Sequence, residues 1–364
     1  MQLTHKYSPI GIDIGRTSVK MVQFRKKGSG LALQAAGQAA VEFPSNSLGP
    51  DETAATVKAL KKTFTQRKFF VNRAVITPPA TDVDVRPLTL PAGSHDVAKM
   101  VRWEAESYLA YPAEDAVIDH VVLGQAKSAG ETRLEVLAAA VHRDKITASL
   151  DLIARTGLVT QAVDIVPLAL ARLLDVLPDG PATTVAAVDL GAYATHAVIL
   201  DNHELRMSRT IDIGGERFTA ALCEALEIQH DEADVLKCQH GTGVADDAAG
   251  SREPDADAPP SDETRKIAHI VHDILRDKLD YLATELSKLF RYFSAQNQGR
   301  RVEKVYLVGG GGALKHLDAF LAERLDTQVN VAEPLIRLTG GPVELKHANQ
   351  GAYAVATGLA LREL

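Results

Sequence analysis

The chain has 364 residues, 46% of them hydrophobic and 24% charged, a composition that excludes a disordered or fibrous chain and, at about 100–200 residues per domain, implies at least two domains. Its net charge of -7, with no basic cluster and interleaved aromatics standing out, argues against a general nucleic-acid surface. Two cysteines without companion ligands, Cys223 and Cys238, argue against a disulfide framework or a zinc site.

The first residues lack the apolar run of a signal peptide, and no stretch reaches the roughly 18 apolar residues of a membrane span. A cytoplasmic location is expected, with any membrane association made through a partner. Residues 10–24 then read as an apolar strand, a tight turn and a returning strand. Two readings of the turn Gly15-Arg16-Thr17-Ser18 stand at this point. It is a plain hairpin with polar tip residues, or its outward amides form an anion cradle, with Asp13 placed to hold a hydrated Mg2+ and Lys20 to neutralise a phosphate.

A third strand follows near 31–36, and 51–66 reads as an amphipathic helix capped by Asp51, with Ala55, Val57, Leu60 and Phe64 on one side. A core strand at 72–77 ends at Pro78-Pro79. From about residue 80 the pattern becomes strand, helix, strand, strand, helix, a credible small subdomain whose helix near 97–109 carries Trp103 and Tyr108 as expected core anchors. A strand near 160–164 and a helix over 166–177 lead to Pro178-Asp179-Gly180-Pro181, the expected boundary between halves.

The next stretch, Thr184 to Leu200, lies over the first hairpin at a constant offset of 176 residues: Asp13 falls on Asp189, Gly15 on Gly191, Lys20 on His196. Internal duplication is the economical explanation, and two such hairpins facing one cleft would put two carboxylates and two amide-rich turns around one polyphosphate and its Mg2+. Ile211-Asp212-Ile213-Gly214-Gly215 closes a strand and opens a helix. Residues 243–264 belong to a Gly, Ala, Asp, Pro and Ser-rich segment expected to be a disordered loop. A long helix over 265–296 buries Ile267, Ile270, Val271, Ile274, Leu275 and later apolar residues on one broad face, and projects Glu285 and Lys288 three residues apart. Gly309 to Gly312 follow a buried strand and precede an expected helix, so that a flat ring or phosphate can approach the backbone; plain structure is the other reading. The last helix, near 351–361, is rich in small residues and suited to close packing.

Two Asp-x-Gly hairpins followed by a glycine turn, in this order, resemble the nucleotide-binding fold of actin, sugar kinases and the heat-shock chaperone ATPases. Residues 103–112, 157–165, 208–219 and 353–362 are similar, more particularly, to the PilM family of actin-like type IV pilus assembly proteins. The resemblance spans nearly the whole chain. It implies an α/β, duplicated actin-like ATPase fold of two ribonuclease H-like halves, with a small α+β subdomain inserted in the first half. The corresponding division is 1–79 with 160–180, then 80–159 inserted, then 181–364.

It also implies ATP with Mg2+, the metal held through water by Asp13 and Asp189. Asp13, Gly15, Arg16, Thr17, Ser18 and Lys20 would form phosphate loop one, and Asp189, Gly191 and Thr195 loop two, while Gly214, Gly215, Glu285, Lys288, Gly309, Gly310 and Gly311 would enclose ribose and adenine. The implied partner is the N-terminal cytoplasmic tail of a PilN-like inner-membrane protein, held in a groove between the first-half core and the extra subdomain. The division protein FtsA is a relative with the same extra piece, but it continues into an amphipathic membrane-binding tail, whereas this sequence stops at Leu364; an actin-fold small-molecule kinase is the alternative from the enzyme class.

Three departures bear on catalysis. Arg16 replaces a small Ser or Thr, and either clamps the terminal phosphate or points to solvent. Ala192 stands where actin has an aspartate lining its water site, and Val166 where hydrolases place a water-orienting Gln or Glu. Asp164, two residues away, is the remaining candidate base. The expected activity is at most a slow ATPase.

Overall fold

The computed structural model describes residues 6–28, 30–42, 50–93, 96–128, 131–177, 183–242, 262–335 and 349–363. The elements of the first part are β1 (Ile10–Ile14), β2 (Ser18–Lys27), β3 (Gly30–Ala40), α1 (Pro50–Gln66) and β4 (Arg73–Ile76). Then come β5 (Val83–Pro91), α2 (Val97–Glu106), β6 (Ala116–Ser128), β7 (Glu131–His142) and α3 (Arg143–Ala154), followed by β8 (Val159–Val163) and α4 (Val166–Val176). The rest comprises β9 (Thr184–Leu190), β10 (Thr195–Asp201), β11 (Glu204–Ile211), α5 (Gly215–Leu226), α6 (His230–His240), α7 (Asp262–Gln296), β12 (Lys304–Val308), α8 (Leu317–Leu325), β13 (Gln328–Val331) and α9 (Ala354–Ala360).

The proline turn at 178–181 and residues 243–261 of the low-complexity segment lie outside the described residues. Asp262, Glu263 and Thr264, expected in that loop, instead form the first turn of α7. On the same helix Ile270 is half exposed, so the buried stripe runs through Val271, Leu275, Leu279, Leu282, Leu286, Leu289 and Phe293.

Duplication is visible in the strand order. One five-stranded sheet runs β3-β2-β1-β4-β8 and the other β11-β10-β9-β12-β13, the same arrangement twice. In the first, β1, β2 and β3 are antiparallel neighbours while β4 and β8 add parallel strands. In the second, β9, β12 and β13 are parallel. A separate antiparallel sheet, β5-β7-β6, carries α2 over a small core of Leu90, Val101, Val136 and Ala138, the inserted α+β piece. By contacts the chain forms two compact units, Met1–Thr183 with Val198–Arg209 and Glu333–Leu364, and Thr184–Ala197 with Thr210–Ala332.

The first sheet is covered on both faces. Ile10, Ile12, Val19 and Met21 pack with Ala59 and Leu60 of α1, while Val22 and Phe24 point the other way onto Tyr353, Ala356 and Ala360. The sequence division places 181–364 in the second half, yet α9 packs on β1, β2 and α4 of the first. Its small residues explain how. A Cβ on Gly11 would lie 1.9 Å from the Ala356 carbonyl oxygen, and one on Gly358 would lie 1.9 Å from that of Ala169. Backbone therefore meets backbone on both sides of α9, which only glycine permits.

Trp103 is not a core anchor. The helix buries Val101 and Ala105, and at 100° per residue position 103 falls on the opposite face, leaving Trp103 70% exposed. Tyr108, past the helix end, lies half-buried beneath the Arg86 guanidinium, 4.1 Å from the ring centroid. Burial first, then the Asp84 carboxylate, pushes its hydroxyl above the ordinary tyrosine range.

Two outcomes follow. Gly11→Val destabilises the protein by about 3 kcal/mol or more, because neither backbone can withdraw; a melting temperature within error of wild type contradicts this packing. Trp103 is the single tryptophan, so acrylamide quenches the native fluorescence almost as efficiently as that of the unfolded chain; a shielded, blue-shifted emission contradicts its placement.

Candidate functional site

In loop one the antiparallel register sets Asp13 opposite Lys20. The Lys20 ammonium donates to Asp13 Oδ2 at 3.3 Å, with both side chains largely buried. Gly15 turns the chain where a Cβ would approach the Ser18 carbonyl oxygen to 2.8 Å. Ser18 is buried as the first residue of β2, while Arg16 and Thr17 are exposed at the tip. The Thr17 carbonyl is tied down by the Val41 amide at 2.9 Å.

Loop two, between β9 and β10, is braced from two directions. The Gly191 amide donates to the Ala194 carbonyl at 3.0 Å, closing the turn. At the start of α5 the Gly215 amide donates to the Gly191 carbonyl at 3.0 Å and the Glu216 amide to that of Ala192 at 2.8 Å. Gly214 makes this docking sterically possible, since a Cβ there would sit 2.5 Å from the Ala192 oxygen. On the other side Gly309 has φ +85°, and a Cβ on it would lie 2.4 Å from Asp189 Oδ1 and 2.5 Å from the Leu190 carbonyl oxygen. Asp189 is itself buried.

The four-glycine run is thus not uniform. Gly309 and Gly311 are required by contacts with Asp189 and Leu190, whereas a Cβ on Gly310 meets nothing within 4 Å. The turn continues as a single 3-10 turn, Gly311–Ala313, rather than as a helix; α8 starts later, after His316 in the left-handed region.

Several expected side chains are engaged internally. The Thr195 hydroxyl is fully buried and donates to the Ile213 carbonyl at 2.7 Å. His196 shares a 3.1 Å hydrogen bond with Thr210. Lys288 donates to Glu285 Oε1 at 2.6 Å along α7, with the Glu285 side chain buried and Lys288 half exposed. Asp164 lies with another group. Its Oδ2 accepts from Arg172 and, at 2.8 Å, from Arg362, and its Oδ1 accepts the Ile165 amide at 2.8 Å. Arg172 also donates to the Gly358 carbonyl at 2.9 Å, so this cluster fastens α9 to α4.

One residue escaped the sequence reading. Lys237 of α6 is buried, and its ammonium donates to Thr219 Oγ1 at 2.7 Å and to the Gly215 carbonyl at 3.3 Å, with Asp234 at 2.6 Å. It stands directly under the glycine turn that braces loop two. Nearby, the hydrogen bond that His230 Nε2 donates to the Glu216 carboxylate raises the His230 pKa above its ordinary value. Among the described residues no group of three or more His, Cys, Asp or Glu side chains is arranged to hold a metal by itself. No described helix is long and apolar enough to cross a membrane.

The repeated sheet and its paired Asp-x-Gly hairpins define a duplicated actin-like α/β protein. The family described as type IV pilus assembly protein PilM matches residues 11–245. This is well over half of the chain, which therefore belongs to the PilM family and is a type IV pilus assembly protein. The family of cell division protein FtsA matches residues 186–358.

Among solved structures, the PilM–PilN type IV pilus biogenesis complex aligns with a TM-score of 0.77 at 24% identity, covering 98% of both chains. The ethanolamine utilization protein EutJ from Carboxydothermus hydrogenoformans aligns at 0.55 with 14% identity, covering 99% of this chain and 91% of that one. A glycerol dehydratase reactivase aligns at 0.51 with 13% identity, covering 97% and 99%. The likenesses to solved structures speak for the fold alone.

The glycine geometry separates two neighbouring substitutions. Gly309→Ala lowers stability by about 2 kcal/mol or more, through positive φ and a collision with Asp189. Gly310→Ala stays within about 0.5 kcal/mol of wild type. Thermal denaturation of the two variants checks this, and equal melting temperatures contradict it.

Proposed function

We propose that this PilM-family protein binds Mg-ATP through its two hairpin loops and, so loaded, holds the N-terminal cytoplasmic tail of a PilN-like membrane protein in the pilus assembly platform. The observation that carries the reading is the duplicated Asp-x-Gly turn. Each copy places a carboxylate one residue before the end of its strand, and each contains a glycine whose Cβ would collide with the turn's own backbone. Such turns bare amides for an anion.

The residues present suit the nucleotide. Asp13 and Asp189 are hard oxygen donors of the kind that hold a hydrated Mg2+, Lys20 is a phosphate-neutralising cation beside one of them, and the empty space on the Cβ side of Gly310 suits close approach of a flat ring. Bound Mg-ATP supplies a polyphosphate that several loops can grip together. Lys20 and the amides of Gly15, Thr17 and Ser18 contribute from loop one, with Arg16 at the exposed tip. Gly191 contributes from loop two, with the Thr195 hydroxyl bracing its base. Gly214, Gly215, Glu285, Lys288, Gly309 and Gly311 shape the nucleoside side, and Lys237 is added to them as the buried cation beneath Gly215.

Turnover is proposed to be slow or absent. A general base needs a free carboxylate within reach of water, and both oxygens of Asp164 accept hydrogen bonds from protein groups. Val166 at the start of α4 is apolar and buried. The tail-binding part rests on family membership and on the similarity to a structure of a PilM–PilN complex.

Calorimetry tests both parts separately. Asp13→Ala abolishes Mg-ATP binding while the melting temperature stays near that of the ligand-free wild type; unchanged affinity refutes the assigned loop. A synthetic peptide of the PilN N-terminal tail binds the ATP-loaded wild type; absence of heat with ATP bound refutes the partner and leaves the nucleotide site standing.

A further inference from the structure

Charge is distributed very unevenly along this acidic chain. Residues 1–81 contain twelve Lys and Arg against four Asp and Glu, a net +8 within a chain of net -7, so the remainder carries -15. Between Glu52 and Asp82 there is no acidic residue at all, while six basic ones occur. Such asymmetry points to an anionic partner for one face.

The fold gathers part of this excess at one corner of the first sheet. Tyr7 bridges to Arg25, and the Lys26 amide donates to the Lys6 carbonyl at 2.9 Å, which lays the N-terminal segment along the end of β2. The Phe70 amide donates to Gln23 Oε1 at 2.9 Å, bringing the turn after α1 to the same place. There the Phe70 ring stacks on Tyr7 with centroids 4.9 Å apart. The Lys68 carbonyl accepts from Gln34 at 3.2 Å, and the Arg67 side chain runs beside Gly37.

Lys6, Arg25, Lys27, Arg67 and Lys68 are exposed and have no carboxylate partner among the described residues. Phe70, stacked on Tyr7 beside them, is 56% exposed, although its neighbour Phe69 packs inward on Phe64. None of these residues lines the described cavity of this unit, which opens at Lys26 and Leu361.

We propose that this corner is a contact surface for an anionic lipid bilayer, with the five cations at the level of the lipid phosphates and Phe70 seated at the interface. Exposed cations on the same corner as an exposed aromatic suit the headgroup region, each Lys or Arg near an anionic surface contributing about 1 kcal/mol. The remainder of the chain carries the opposite net sign, so attraction to an anionic surface is concentrated in this first segment. The inference is independent of nucleotide and tail binding.

Vesicle co-sedimentation of the full chain tests it. The protein sediments with vesicles containing phosphatidylglycerol and not with pure phosphatidylcholine. Binding disappears as salt is raised from about 0.1 M to about 1 M, where the screening length falls from about 10 Å to about 3 Å. The triple variant R25Q/K27Q/K68Q lowers the partition coefficient about a hundredfold, from three lost contributions, and F70S weakens it further. Neutralising three exposed cations of α7, K266Q/K278Q/R291Q, leaves it unchanged. The proposal is overturned by no binding to anionic vesicles, by equal binding to neutral ones, or by an equal loss in the α7 variant. Retention on oligonucleotides that anionic vesicles do not displace would overturn it too, in favour of a nucleic-acid surface.

Discussion

Close approach of backbone to backbone at glycine governs this protein. Gly11 and Gly358 let α9 lie against β1 and α4 at distances that a single methyl group would forbid, and Gly214 and Gly309 let α5 and the β12 turn close on loop two from two sides. Interiors packed at crystalline density transmit such constraints without slack. The consequence is that the strands carrying Asp13 and Asp189 are held by covalent geometry and by packing, not by long side chains that would have to be ordered. A binding loop whose position is already set loses little entropy when a ligand arrives.

The same economy explains where the polar groups go. Asp164 fastens α9 through Arg172 and Arg362, and the Thr195 hydroxyl ties β10 to Ile213. Buried polar groups need partners, and these partners belong to the scaffold. Lys237 is different in its position rather than its chemistry. It satisfies Thr219, Asp234 and a carbonyl of the Gly214-Gly215 turn, so the bracing of loop two depends on a buried cation that also sits nearest to that turn.

Much of this was legible in the sequence because it is local. An apolar strand, an Asp-x-Gly turn and a returning strand declare themselves over a dozen residues, and a second copy at constant offset makes coincidence untenable. What was not legible depends on distant partners. Trp103 was expected inside because tryptophan usually is, but the stripe of Val101 and Ala105 decides the face of α2. The run Gly309 to Gly312 looked like one flat platform, whereas Gly309 and Gly311 are set by Asp189 and Leu190 of a distant strand and a Cβ on Gly310 would meet nothing. Lys237 lies in a polar helix with a weak amphipathic pattern and gave no signal. The corner of Lys6, Arg25, Lys68 and Phe70 was hidden by a net charge that averages a basic first segment with an acidic remainder.

The picture is of a pilus assembly protein whose glycine-packed turns are proposed to serve a nucleotide, and whose first unit carries both an inserted subdomain and a basic corner. The central claim is the proposed one, that both hairpins serve Mg-ATP. Hydrogen–deuterium exchange of the full chain, with and without Mg-ATP, tests it most directly. The account predicts slowed exchange in three segments together, the turns at 13–18 and 189–195 and the glycine run at 309–312. Protection confined to one hairpin, or absent from all three while the nucleotide is demonstrably bound, would contradict it.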